Sequence, residues 1–564
     1  LNLLSDKWLT VKRRDSSEDT INFYEITADI DSNPIIDIIS PRPDIKNALY
    51  QLIIGLLQVS NTPEENEDWF DYWDSPPDTN SLKEKLIPLA PFFEIDSTGI
   101  AFMQDFELKE GEEKPIASLF IESPGAKTIK DNLDHFNKRD SLTYLDPYWA
   151  ATALYTMQSF APAGGVGHRV GVRGGGPLST LILPCDLEER PSTLWEKLWI
   201  NVLSKRDIIS TCKSNDYEKN TPESIFPWIK STKISEGKGN ELFPNECHPF
   251  HVYFAMPRRI RLLFTETKQT CSLTGNECAK VVTGFITKNY GNCYSGPWIH
   301  PLNAYRIDKK KPDEPPLSIK GQPGGVHYRH WLALTIGYDE SIPAAVVSIL
   351  KNDITKKLAL RSRKTVLWAA GYDMDNMKAR SWHDSIMPYY TFQENQDLKS
   401  INEFTIDVNT MIEVAGEIAS NLRSAVRKAW FKEPSSPAAK KADFSFLFDS
   451  LTQNTERLFY QSIENLKNRF DKDNSKEIRS FVGRLWLQGL QKEAMSLFEQ
   501  WCMCVQEGQK DLHRIFQIRR EFEGWNLFGN EVKVLRAWYE DVEITKKSKE
   551  KKKRSSTKGG TTND

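Results

Sequence analysis

No run in this chain approaches the roughly 20 consecutive apolar residues that a membrane-spanning helix needs, so no transmembrane segment is expected. The opening LNLLSDKWLTVKRRDSS lacks the apolar core of a signal peptide. It begins on Leu1 without a methionine, as expected of a sequence whose start lies upstream. Eight cysteines in 564 residues, irregularly spaced, do not form a secreted disulfide framework. A soluble cytoplasmic protein is the expectation. An excess of positive charge is missing too. Lys and Arg number 74 against 77 Asp and Glu, a net charge of −3. That excludes a globally basic nucleic-acid coat and leaves only local patches. Several catalytic signatures are absent: GxSxG, the Walker A loop, HExxH and any Cys–His pattern. With only nine histidines, a non-enzyme is the leading reading.

What is present is a folded, tryptophan-rich chain, with 16 Trp and 39% hydrophobic residues. The expected fold class is α+β, a large mixed α/β N-terminal domain followed by a C-terminal four-helix bundle. Residues 1–400 form the first domain, 401–545 the bundle and 546–564 a basic disordered tail. NALYQLIIGLLQV predicts a buried helix, and EENEDWFDYWDSPPD a solvated loop with aromatic anchors. RLLFTET, KVVTGF and HWLALTIGY read as short strands. Beyond residue 400 the period changes. Met411, Ala415, Ile418, Leu422, Ala425 and Ala429 make one helical stripe. Phe444, Phe448, Leu451, Leu458 and Phe459 begin a second; Ile478, Leu485, Leu490, Ala494, Leu497 and Trp501 mark a third. Leu512, Ile515, Phe516 and Phe522 mark a fourth. EPSSP separates the first from the second, because proline cannot continue a helix.

The densest candidate for chemistry is AGGVGHRVGVRGGGP at 163–177. It matches neither phosphate loop: it has no Lys–Ser or Lys–Thr end, and Gly165, Gly167 and Gly171 give GxGxxxG. Positive charge from His168, Arg169 and Arg173 is interleaved with the glycines. A structural turn and a loop that lies in a nucleic-acid groove both fit. The metal candidates are weaker. Cys271 and Cys278 in CSLTGNEC are not spaced as the CxxC knuckle of a zinc ribbon, although Cys247 and Cys293 could complete a four-cysteine zinc site. His248 and His251, His327 and His330, and Asp373 and Asp375 each supply two donors without an evident third.

Taken in order, NLLSDKWLTV, AFMQD, GHRVGVRGGGPLSTLI, TGF with GPWIHP, AAGYDMDNMKAR and the C-terminal helices resemble the large subunit of the type I-E CRISPR Cascade complex, the CasA family. The resemblance spans roughly residues 1–540. It implies a non-catalytic subunit of an RNA-guided complex that finds the protospacer-adjacent motif (PAM) in target duplex DNA. The subunit would start strand separation and help to recruit a helicase–nuclease. Its partners would be the guide RNA, target double-stranded DNA and the other Cascade subunits, with no membrane and no required cofactor.

The resemblance also implies sites. A glycine loop enters the minor groove, which is about 6 Å wide and favours a bare backbone. The matching residues are Gly164, Gly165 and Gly167, with Arg169 and His168 beside phosphates. A minor-groove lysine falls at Lys288, with Asn289 as the alternative. A strand-separating wedge falls at Asp375, Asn376 and Met377, with Lys378 and Arg380 on the displaced strand. A loop toward the guide RNA and a neighbouring subunit falls at Phe136, Lys138 and Arg139. Two other readings stay open: a metal-dependent nuclease using His248, His251 and the cysteines, and a purely structural scaffold.

Overall fold

The structure, a computed structural model, describes residues 1–564 apart from 126–128, 132–140, 188–189, 214–220, 361–362, 376–377, 391–397, 473, 504–510, 531 and 541–564. Phe136, Lys138, Arg139, Asn376, Met377 and the basic tail therefore lie outside the described residues. The fold is α+β. The chain divides into two compact units, Leu1–Val326 with Ala333–Thr391, and His327–Leu332 with Phe392–Asp564.

The first unit is built around helix α1 (Pro43–Ser60), which starts on a proline and is buried along almost its whole length. Apolar residues of the helix fill more than one face, and the polar ones it buries, Gln51 and Gln58 among them, are hydrogen-bonded to Asn47, Ser179 and the Leu203 carbonyl. The small antiparallel sheets of this unit include three of three strands each. One is β2-β1-β3, from Leu9–Arg13 (β1), Glu18–Ile21 (β2) and Ile35–Ile38 (β3). The next has β7 (Val281–Lys288) between β4 (Glu112–Pro115) and β6 (Arg259–Thr265), with a bulge between Val282 and Gly284. The third places β8 (Thr365–Asp375) between β5 (Ser179–Pro184) and β9 (Lys378–Tyr389).

Two local expectations are overturned here. EENEDWFDYWDSPPD is not a loop: Asn66–Asp74 forms helix α2, opened by a reciprocal cap between Glu65 and Asp68. Its Trp69 is buried and stacks on Trp73 at 5.4 Å and on Trp199 at 6.4 Å. Burial of these rings outweighs the acidic composition. HWLALTIGY is not a strand: Trp331–Thr335 is a short helix, with Trp331, Leu332 and Leu334 buried.

In the second unit, helices of 33, 24, 28 and 17 residues pack together: α4 (Leu398–Trp430), α5 (Ser445–Asn468), α6 (Ser475–Cys502) and α7 (Leu512–Phe528). All six residues of the first stripe are buried. The phase of the later stripes differs from the expectation. In α6 the core face runs through Val482, Trp486 and Leu490, and Leu485 is exposed. In α7, Ile515, Ile518 and Phe522 are buried, whereas Leu512 and Phe516 are exposed. Inside this unit Asp407 is buried and accepts from both Arg469 and Arg479, the latter at 2.9 Å. Arg479 is partly exposed, and Arg469 still neutralises Asp407 without it. Arg479→Met is therefore expected to cost only about 1 kcal/mol, read as a small shift of the urea midpoint.

Candidate nucleic-acid interface

The glycine stretch links two elements of one frame. Helix α3 (Pro147–Phe160) leads into it, and β5 leaves it. β5 is the sheet partner of β8 over Thr365–Ala370 only. Beyond that point the β8–β9 hairpin continues without β5, to the pair Asp375↔Lys378. The chain that would have continued β5 is instead the returning limb of the loop. Gly176 sits there with φ +63, and a Cβ on it would lie 2.7 Å from Met374 Cγ of the hairpin. Only glycine meets both conditions. Gly176 also donates its N–H to the Phe160 carbonyl at 3.1 Å, which closes the stem of the loop.

The outgoing limb is fastened to the end of β7. Gly167 has φ +74, and its carbonyl accepts from Tyr290 N at 2.8 Å. A Cβ there would meet Asn289 Cβ at 2.8 Å and Tyr290 Cδ1 at 2.9 Å. Tyr290 is itself held at φ 63, a strained conformation for a bulky residue. Arg169 commits its guanidinium to Ser235, through Nε to Oγ at 2.8 Å and Nη2 to the carbonyl at 2.6 Å, and lies 5.8 Å over the Tyr290 ring. His168 Nδ1 is bonded to Arg258, whose other terminal nitrogen donates to the Pro162 carbonyl. Burial, then the charge of Arg258, lowers the His168 pKa, so the ring is neutral at pH 7.

His168 and Arg169 are both half-buried and bonded within the protein, where they brace the loop. The bare surface is Gly164–Val166. A Cβ on Gly164 or Gly165 would meet nothing within 4 Å, and Val166 is 73% exposed. Lys288, the last residue of β7, and Asn289 are both exposed. Asp375 and Lys378 are exposed at the hairpin end, and Arg380, also exposed, is paired with Asp373 at 2.8 Å.

Sequence reasoning missed the residues beneath these surfaces. Tyr372 and Trp382 face each other across the hairpin, with ring centroids 4.9 Å apart, and Phe160 packs edge-on against Trp382 at 5.4 Å. The Tyr372 hydroxyl donates to buried Asp44, which Arg42 binds together with Glu122. Tyr372 stands three residues before Asp375 and Trp382 four after Lys378, so they pair only because the ladder shifts register between Asp373 and Met374, which equal spacing in the sequence does not reveal.

The metal candidates are differently disposed. Cys271 and Cys278 meet at Asp146: its N–H points to Cys271 Sγ at 3.4 Å, and Cys278 Sγ donates to its carboxylate at 3.4 Å. Burial and that carboxylate push the Cys278 thiol up to about 12. Among the described residues no group of three or more His, Cys, Asp or Glu is arranged to hold a metal. The two ring nitrogens of His330 lie 3.1 Å from the His327 N–H and from Arg329 Nε, and a neutral imidazole accepts from one of these. His251 is buried, with Nε2 3.0 Å from the Tyr294 hydroxyl.

Burial depresses the pKa of His251 to about 3. Its stabilising effect is whole above the unfolded value near 6.5, and is lost as pH falls below that value toward 3. The expected slope is at most about 1.4 kcal/mol per pH unit. Melting temperature measured from pH 7 to pH 4 should fall less steeply in His251→Gln.

With this geometry in place, the family described as CRISPR-associated protein Cse1 matches residues 2–497. The chain belongs to the Cse1 family. Its fold is also that of solved members. Thermobifida fusca Cse1 is 16% identical with TM-score 0.66, over 96% of this chain and 98% of that one. Thermus thermophilus CasA is 20% identical with TM-score 0.62, over 93% and 98%. A chain of a CRISPR RNA-guided surveillance complex is 13% identical with TM-score 0.60, over 93% and 99%.

Proposed function

We propose that this chain is the non-catalytic large subunit of an RNA-guided CRISPR surveillance complex of the Cascade type. It reads the PAM of target double-stranded DNA through the minor groove. It then wedges open the adjacent base pair and helps to recruit a helicase–nuclease. The guide RNA carries the rest of the sequence reading. The observation that supports this most is the convergence of three sequence-distant elements on one frame: the bare Gly164–Val166 loop, the exposed Lys288–Asn289 strand end, and the hairpin ending at Asp375 and Lys378. Such a set can present a backbone, a cation and a wedge to one stretch of duplex. The minor-groove pattern is degenerate, which fits several tolerated motifs. Lys378 and Arg380 are assigned to the displaced strand. Phe136, Lys138 and Arg139 are assigned to the guide RNA and a neighbouring subunit.

The test is target binding by the guide-loaded complex, with and without this chain, against duplexes randomised beside the target. Binding that requires the chain and selects a short adjacent motif is the expected result. Equal binding and equal motif preference without it would leave a scaffold. DNA cleavage by the purified chain with added Mg²⁺, Mn²⁺ or Zn²⁺ would support the nuclease reading instead.

A further inference from the structure

Of the described arginines that are buried or half-buried in the first unit, half are ion-paired. Arg13 is paired with Asp19, Arg42 with Asp44 and Glu122, Arg259 with Asp105, and Arg363 with Glu196, all within 3 Å. The others are not: Arg169 and Arg261, half-buried and held by Ser235 and by the Ser97 and Gly99 carbonyls, and Arg173 and Arg258, which hold the two limbs of the glycine loop. Arg173, on the returning limb, is 4% exposed. Its bonded partner is the Ser179 hydroxyl at 3.0 Å, and its guanidinium lies 5.2 Å over the Phe160 ring. Arg258 braces the outgoing limb at Pro162 and His168, and its Nε is buried without an acceptor. Among the described residues neither has a carboxylate within ion-pair distance. Burial alone leads the causes that draw both guanidinium pKa values down to about 10, so both remain charged at neutral pH.

Burying a charge without its counter-charge is costly, and the hydrogen bonds and ring contact that these two arginines make inside the fold supply no opposite charge. A field set in a low-dielectric surround reaches further than one screened by water. Net charge elsewhere gives the chain no general attraction for DNA, since it is −3 overall. The carboxylate that acts on His168, Glu112, is itself paired with Lys114 at 3.3 Å. The loop surface above the two arginines is thus left with uncompensated positive potential and little side-chain bulk.

We propose that Arg173 and Arg258 are positioning residues whose missing counter-charge is the phosphate backbone of the target duplex, drawn onto the glycine loop as it enters the groove. This rests on the PAM-reading assignment and adds two residues to it. They act through the field and through the loop they brace, not by contact with bases.

The experiment compares guide-loaded complexes containing the wild-type chain, Arg173→Met or Arg173→Lys. It measures association with motif-bearing and motif-free duplexes over a range of salt, alongside the melting temperature of each chain. Arg173→Met is expected to slow association about tenfold at low salt, with the difference closing as salt rises. Its melting temperature should hold or rise, because a costly buried charge is removed. Arg173→Lys should keep the wild-type rate. An unchanged rate in Arg173→Met, or a loss that persists at high salt and is not restored by lysine, overturns the proposal. If Arg173→Met lowers the melting temperature, Arg258→Gln against Arg258→Lys decides: slower association only in the glutamine variant supports it, and equal behaviour overturns it. Absence of motif preference in the wild-type complex sinks the PAM assignment itself. Motif preference with insensitive variants sinks only the role of the arginines.

Discussion

A guide-loaded complex carrying Gly165→Asp is expected to bind its target duplex at least about 100-fold more weakly than wild type, since a carboxylate forced against phosphates costs several kcal/mol. The chain itself should fold. Nothing lies within 4 Å of a Cβ at Gly165, so the only structural cost is its φ of +73. Aspartate tolerates that region better than most residues, at about 1 kcal/mol. The position is therefore a clean probe of what the loop faces. Gly167 and Gly176 are not, because a side chain at either would collide with Tyr290 or Met374 and move the frame. Gly165→Ala separates bulk from charge at the same site. If the loop lies in a groove, alanine should weaken binding less than aspartate and by an amount insensitive to salt. Normal melting together with normal target affinity in Gly165→Asp would refute the loop assignment.

The stripe from Met411 to Ala429 could be read from spacing alone, because a helix packed on several sides buries each i, i+4 contact. Spacing did not fix the phase where apolar residues are adjacent. In LWL at 485–487 either Leu485 or Trp486 could face inward, and packing of the larger ring decides for Trp486. The glycine loop was legible as an unusual backbone. The fate of its charges was not, since it depends on residues far along the chain. Arg169 is taken by Ser235, 66 residues away, and His168 by Arg258, 90 residues away. Arg173 is buried, with its guanidinium over the Phe160 ring, although its place among the glycines gives no sign of it. The same long-range closure hid the supports of the hairpin. Asp44 reaches Tyr372 across 328 positions, a contact that no local pattern reveals.

Replacing Asn376 and Met377 together with glycine is expected to leave encounter with the PAM duplex nearly intact and to reduce opening of the adjacent base pair by roughly 30-fold or more. Unstacking one step costs a few kcal/mol, which an inserted side chain must offset. Two glycines offer no surface to the exposed base. Encounter should survive because the loop and the β7 end stand on their own bonds to Tyr290, Ser235 and Arg258. The hairpin should survive because its stem is secured elsewhere, by the eleven-rung ladder from Thr365↔Tyr389 to Asp375↔Lys378 and by Tyr372, Trp382 and Phe160 packed at its root. Permanganate reactivity of thymines next to the PAM reads the opening, and binding of a duplex with a pre-melted first pair supplies the control. Loss of reactivity on the intact duplex, with normal binding of the pre-melted one, assigns the wedge to these two residues. Unchanged reactivity would remove that assignment and shift the opening step to Lys378 or to guide pairing alone. A root variant, Trp382→Ala, distinguishes positioning from insertion. It should impair opening in proportion to a lowered melting temperature, whereas the tip variant should impair opening at constant melting temperature.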